Sequence, residues 1–554
     1  MNYNILIGGE AGQGLKTITD IVSKKFHKHG YYLFTLADYM SRVRGGHNFF
    51  QLRISDDHIL SHSDSLDVII ALNQETLDLH LPRLKDEGVI ISDNNIESND
   101  SRLISVPAKK IATDFGNVRT MSTVLIGALL KLFGLDQKYI EEIFSKKFND
   151  KITEVNLKSF IKGMEFSEHK FKLSEGFHEQ KMLINGNQAI ALGALAANMK
   201  FYSAYPMTPA TSIMSYLSTK VYESEIIVEQ AEDELAAINM AIGASASGVR
   251  AMTGTSGGGF SLMTEGLGLA GIAEVPLVIA LVQRPGPATG LPTRTEQADL
   301  KFVVNASQGE FGRIVLAPTS PEDAFYQTTR AFNLAEKYQL PVILLSDQYL
   351  ADATQTTTVF DLDKVSIDRH LEKQPSSSYL RYKLSETGIS PRVIPGEYEN
   401  VVVNYDSDEH DEKGDITESD EVRKSMVEKR DKKFKLAHRE MLEPKHLGDE
   451  KGEVLLIGWG STFSQIKEAV CELINKKIRV GALIFSDVWP LPTKKLKEYA
   501  KNFNTIINIE QNSTGQFGGL IKEYTNLKPK HNLLRYDGRP LTAKQIIEKV
   551  KEVL

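Results

Sequence analysis

Two apolar runs, Phe201 to Ala204 and Ile226 to Val228, each lead directly into residues that can do chemistry. The first enters Tyr205-Pro206-Met207-Thr208-Pro209, a turn stiffened by two prolines with a hydroxyl between them. The second enters Glu229-Gln230-Ala231-Glu232-Asp233-Glu234, acids at the mouth of an Ala- and Gly-rich helical stretch. Short apolar runs separated by helical stretches fold as a parallel sheet covered by helices, because parallel neighbours need a long crossover. Ligands of such sheets bind at the carboxyl ends of the strands, which is where both segments would lie.

The same alternation recurs along the chain and predicts an α/β protein of three domains with mainly parallel sheets. With 554 residues the chain is too long for one core. Residues 1–175 carry strand-like Ile5-Leu6-Ile7, Val68 to Leu72 and Gly88 to Ser92, and an apolar helix from Met121 to Phe133. A second unit spans 182–355 and a third 451–554. Between them, 356–450 loses the pattern and reads as an extended charged connection, with a solvated surface the default. Thr417-Glu418-Ser419-Asp420 could cap a charged helix within it that continues to about Met441.

Composition removes several classes of function. A net charge of -7 and a pI near 6.1 give no electrostatic case for binding nucleic acid. No apolar run approaches the ~20 residues needed to span a bilayer. No signal peptide precedes the first strand, and with one cysteine no internal disulfide can form; both fit a cytoplasmic protein. One thiol cannot hold an iron–sulfur cluster, which takes about four. Cys471 lies in a helical pattern and is expected to be a small core residue.

Each motif has an ordinary structural explanation beside the functional one. Gly8-Gly9-Glu10-Ala11-Gly12-Gln13-Gly14 follows a strand and opens a helix, so it could bring amides to a phosphate, or simply pack tightly. The phosphate alternative would make the chain a nicotinamide or flavin oxidoreductase. Thr208 could cap a helix. Glu232, Asp233 and Glu234 could merely favour a helix dipole. Thr253-Gly254-Thr255-Ser256-Gly257-Gly258-Gly259 is a further glycine loop after a strand. Arg294 sits in a stiff loop, Gly286-Pro287-Ala288-Thr289-Gly290-Leu291-Pro292-Thr293-Arg294-Thr295-Glu296-Gln297, and its planar fork suits a carboxylate.

Taken together, the Tyr205–Pro209 and Gly286–Gln297 motifs resemble the alpha subunit of 2-oxoacid:ferredoxin oxidoreductases. Residues 1–175 are similar to the gamma subunit of that family, fused in front, with Arg42-Val43-Arg44-Gly45-Gly46-His47 as a second point of likeness. Residues 451–554 resemble the transketolase C-terminal domain through Glu510-Gln511-Asn512-Ser513-Thr514-Gly515-Gln516, whose expected role is interdomain or subunit contact. The resemblance implies a pyrimidine-binding domain for thiamine diphosphate at 182–355. Glu234 would contact the aminopyrimidine, with Glu232 the neighbouring alternative and Tyr205 and Pro206 beside the cofactor. Thr208 would bond the 2-oxoacid and Arg294 would clamp its carboxylate. This chain has Ala210-Thr211 where the family more often has two serines.

The implied reaction converts a 2-oxoacid, coenzyme A and oxidised ferredoxin to acyl-CoA, carbon dioxide and reduced ferredoxin. The 2-oxoacid would be 2-oxoglutarate, or the specificity broad. The Gly-Asp-Gly motif that holds magnesium in thiamine enzymes is missing from the sequence. The resemblance therefore places Mg2+, the diphosphate and a [4Fe–4S] cluster on a separate beta subunit, in an αβ or (αβ)2 assembly. No metal-ligand set is assigned to this chain. A non-catalytic scaffold subunit of the same fold is the remaining alternative.

Overall fold

A computed structural model describes residues 1–41, 45–177 and 181–554, in two compact units. One comprises Met1–Ile184 with Ala353–Val359, and the other Asn185–Asp352 with Phe360–Leu554. Strand Lys181–Ile184 pairs with strand Thr354–Thr358 in the sheet of the first unit, so Asn185–Asp352 of the second unit lies between these two strands in sequence and Phe360–Leu554 follows them.

The first unit holds an eight-stranded sheet. Its parallel half is Leu103–Val106, Leu84–Asp93, Leu66–Ala71 and Asn2–Ala11, in that order. Leu66–Ala71 is buried throughout, as a strand covered on both faces must be. The other half is antiparallel: Gly45–Ser55 pairs with Asn2–Ala11 on one side and Tyr32–Asp38 on the other. The sheet is therefore mixed, where the sequence pattern suggested a parallel one. The cause is local, since the stretch from Asp38 to Gly45 is too short for a parallel crossover.

The second unit contains two sheets. In the seven-stranded one, Ile314–Leu316, Pro341–Asp347, Leu277–Gln283, Ala251–Thr255, Phe201–Ala204 and Ile227–Gln230 run parallel in that order. Asp487–Trp489, from the C-terminal third, adds an antiparallel edge. The five-stranded sheet comprises Lys445–Gly448, Val480–Phe485, Gly452–Trp459, Phe503–Glu510 and His531–Leu534. One apolar cluster joins the two sheets, from Ile238 and Phe260 through Leu300 to Trp459, Phe485 and Phe517.

Residues 361–419 are mostly irregular and lead to the helix Asp420–His438, whose Ser419 cap accepts a bond from the Val422 amide. The segment is not simply a solvated surface, because Arg381, Tyr382 and His410 are fully or almost fully buried. Buried Glu336 receives Arg250, Arg369 and Arg392, and buried Glu274 receives Lys429 and Lys433. Cys471 is exposed, contrary to expectation. Its helix, Phe463–Asn475, buries Ile466, Ala469, Val470 and Leu473, and position 471 falls on the opposite face. Among the described residues no helix is long and apolar enough to cross a membrane.

Candidate functional site

The carboxyl ends of four adjacent parallel strands converge on one site in the second unit. Phe201–Ala204 delivers the Tyr205–Pro209 turn, and Ile227–Gln230 delivers the acids. Ala251–Thr255 delivers Ser256 to Gly259, and Leu277–Gln283 delivers the loop that opens with Arg284.

The three acids separate by burial. Glu232 is exposed. Asp233 caps the helix Glu234–Ala246, its carboxylate accepting a 2.7 Å bond from the Ala236 amide. Glu234 is only 3% exposed, and its Oε1 has no hydrogen-bond partner among the described residues. Burial pushes its pKa above the ordinary carboxylate value, and neighbouring Asp233 adds to the rise. An unpaired buried carboxyl is costly, so its presence asks for a ligand. Glu234 Oε1 packs against Gly259, where a Cβ would lie 2.5 Å from it, so this position of the glycine loop has room for no side chain. The same glycine lies against Thr255, whose hydroxyl points at Met207 Sδ at 3.9 Å. The Thr208 turn, the glycine loop and Glu234 thus meet at one place.

Two further buried oxygens, without partners among the described residues, lie at the start of the helix Gly257–Ile272: Ser256 Oγ and Asp299 Oδ2. Burial raises the Asp299 carboxyl to about 6, opposed by Arg284. Burial and Asp299 together raise Glu296 to about 7.

Thr208 is half-buried, and among the described residues no hydrogen bond engages its hydroxyl. Its carbonyl accepts a 2.6 Å bond from Arg284 Nη1. Arg284 is the guanidinium that the structure brings to this turn, whereas the sequence had singled out Arg294. The two arginines stand at opposite parts of one loop. The Leu291 amide donates to Pro285 O and the Arg294 amide to Leu291 O, folding the loop back on itself. The stem of Arg294 lies against Gly538, near the C-terminus. The sequence signal for Arg284 is its place at the carboxyl end of a strand, directly after Gln283 and two residues after the apolar run ends at Val282. Tyr205 is 41% exposed and Pro206 half-buried at the rim.

The far end of the loop is fastened to the C-terminal third. The Gln297 amide donates to Gln511 O at 2.6 Å, and Gln297 Nε2 donates to Trp459 O. Asn512 Nδ2 donates to Gln297 O, and Gln516 Nε2 to Ala298 O. The Glu510–Gln516 motif thus makes an interdomain contact that fixes one foot of the loop.

The Gly8–Gly14 turn lies in the first unit. A Cβ on Gly8 would sit 2.5 Å from Thr76 Cγ2, so close packing accounts for that glycine. His47 is buried, with its Nε2 2.8 Å from His80 Nε2. Arg42, Val43 and Arg44 lie outside the described residues.

Three family models match the chain: pyruvate ferredoxin/flavodoxin oxidoreductase at 4–166, its thiamine-diphosphate-binding domain at 192–429, and pyruvate:ferredoxin oxidoreductase core domain II at 452–546. The 2-oxoacid:ferredoxin oxidoreductase subunit alpha of Saccharolobus solfataricus is 32% identical over 100% of this chain and 98% of its own length. The 2-oxoglutarate oxidoreductase subunit KorA of Mycobacterium tuberculosis is 30% identical over 94% of this chain and 87% of its own. A solved 2-oxoglutarate:ferredoxin oxidoreductase from Magnetococcus marinus, with 2-oxoglutarate, coenzyme A and succinyl-CoA bound, superposes with a TM-score of 0.94. That structure is 30% identical, with 100% of this chain and 99% of that one covered.

Proposed function

Since this chain belongs to the 2-oxoacid:ferredoxin oxidoreductases as an alpha-type subunit with a thiamine-diphosphate-binding domain, we propose that it supplies the pyrimidine and substrate half of a shared active site. The reaction is the coenzyme-A-dependent oxidative decarboxylation of a 2-oxoacid, with ferredoxin as electron acceptor. The observation that carries this reading is the buried Glu234 Oε1, without a hydrogen-bond partner among the described residues and set against Gly259 of the glycine loop.

Bound thiamine diphosphate supplies the carbanion chemistry. Glu234 would meet its aminopyrimidine and share a proton with it, a task suited to a carboxyl whose pKa is raised by burial. The free Thr208 hydroxyl would donate to the 2-oxoacid. Arg284 would face the substrate carboxylate with the guanidinium hydrogens not used on Thr208 O, in place of Arg294. Tyr205 and Pro206 form the rim on the cofactor side.

The missing half belongs to a beta subunit, which brings Mg2+, the diphosphate site and a [4Fe–4S] cluster. A single cysteine and no Gly-Asp-Gly motif support that division. So do Tyr205, Leu235, Met240 and Leu262, exposed apolar side chains on the elements that build the site. The assembly is αβ or (αβ)2, in the cytoplasm. Relatives named for 2-oxoglutarate favour that substrate or a broad range containing it.

The test is to co-express the chain with its beta subunit and assay viologen reduction across a panel of 2-oxoacids. Activity that needs coenzyme A, thiamine diphosphate and both chains is expected. Turnover by this chain alone, or none by the pair with any 2-oxoacid, would overturn the reading.

A further inference from the structure

The Thr208 turn has no local side chain to hold it. The helix that follows, Thr211–Ser218, begins after Ala210, which offers no side-chain cap. The Ile213 amide bonds Ala210 O, so the Pro209 carbonyl has no intrahelical donor. A residue from another helix takes that carbonyl. Asn187 Nδ2 donates to Pro209 O at 2.9 Å and to Ser212 Oγ at 2.8 Å.

Asn187 is fully buried as the second residue of the helix Gly186–Ala196. It has no capping duty there, since Asn185 and Gln188 already form a capping box. Its Oδ1 is buried without a partner among the described residues, so this side chain carries a desolvation cost that packing alone would not select. An apolar residue of similar size would fill the volume without that cost, whereas only a donor can hold the carbonyl. With Arg284 on Thr208 O and Asn187 on Pro209 O, the two carbonyls either side of the Thr208–Pro209 bond are held from two directions. The Thr208 hydroxyl is left as the free group of the turn.

We propose that Asn187 is a positioning residue, which sets the affinity for the 2-oxoacid by holding the Thr208 turn through the Pro209 carbonyl and the Ser212 hydroxyl. The proposal rests on the reading of Thr208 as the group that bonds the substrate.

A double-mutant cycle in the complex with the beta subunit tests it. Asn187→Ala is expected to raise KM for the 2-oxoacid about tenfold, the scale of one lost hydrogen bond on a buried carbonyl. Thiamine diphosphate affinity, read by fluorescence titration, should stay within about twofold, because Glu234 is not held by this contact. Asn187→Asp, the same shape with no donor, should raise KM at least as much. In a Thr208→Ala background, Asn187→Ala should have almost no further effect, since the group it positions is gone. Equal KM increases in both backgrounds would reduce Asn187 to a packing residue and overturn the proposal, as would an unchanged KM in the single variant. If Asn187→Ala fails to fold, Ser212→Ala removes one of its two anchors and takes its place in the cycle. A KM increase that vanishes in the Thr208→Ala background then supports the proposal, and equal increases or none overturn it. A wild-type KM in Thr208→Ala overturns the reading of Thr208 and this proposal with it. That failure shows in the Thr208 arm alone, apart from any failure of Asn187.

Discussion

Glu234 and Glu274 are both glutamates in the second unit, 3% and 0% exposed, and they have opposite surroundings. Glu274 accepts from Lys429, and from Lys433 at 2.6 Å, with the Arg381 guanidinium also acting on it. Burial pushes its pKa up, but these three cations outweigh burial and hold it well below the carboxylate range. Three positive groups around one acid leave an excess of charge. Burial accordingly brings the Lys433 ammonium down to about 7, against the pull of Glu274. Among the described residues Glu234 has no cation at its oxygens, and burial raises its pKa. A carboxylate fully paired with cations fastens a structure, and one left alone in a dry place is available for chemistry.

The largest expected effect separates these roles by activity. Glu234→Gln in the two-subunit complex should lower 2-oxoacid turnover by about a hundredfold or more, the scale of a lost acid–base group, with the chain still assembling. Near-normal turnover would break the comparison at its functional end. Glu274→Gln should leave turnover per folded molecule close to wild type and lose about 3–5 kcal/mol of stability, because Lys429 and Lys433 would be left buried without a counter-charge. Chemical denaturation read through the C-terminal helices would show it. An unchanged midpoint would mean that Glu274 does not fasten the 361–438 segment.

The same contrast separates what the sequence revealed from what it concealed. The strands of the second unit, the Tyr205–Pro209 turn and the acids before Ala236 are local patterns, legible because the strand period and helix caps act within a few residues. The grip on Glu274 joins residues 155 and 159 positions apart, which is why 356–450 reads from sequence alone as an extended charged connection. The contact of Arg284 with the turn is of the same long-range kind. Its partner, Thr208, lies 76 positions upstream, while Arg294 sits inside a conspicuous proline-rich motif. Burial, which singles out Glu234 over Glu232, is a tertiary property that three adjacent acids cannot show.

The two arginines give the next prediction. Arg284→Ala should cost about 2 kcal/mol in kcat/KM for the 2-oxoacid, roughly thirtyfold, as a charged hydrogen bond is lost. Arg294→Ala should change kcat/KM less, acting through the fastening of the loop near Gly538. Equal or reversed losses in a steady-state comparison would return the carboxylate clamp to Arg294.

The smallest effect is the dependence of stability on pH, and here the two glutamates should differ in sign. Glu234 has a folded pKa above its unfolded value. Between those values the folded chain keeps a proton that the unfolded chain has lost, so stability falls as pH rises through that window. Glu234→Gln removes the penalty. The variant should therefore match wild type near pH 4 and melt at a higher temperature than wild type at pH 7.5, gaining stability where it loses activity. Glu274 has a folded pKa below its unfolded value, so its contribution is present above the ordinary carboxylate range and is lost as pH falls. The deficit of Glu274→Gln should accordingly be full at pH 7.5 and shrink toward pH 4. Thermal melts of both variants at the two pH values test the pair. A Glu234→Gln chain that melts below wild type at pH 7.5 would mean its carboxylate is stabilised in the fold, and the contrast with Glu274 would then reduce to one of location.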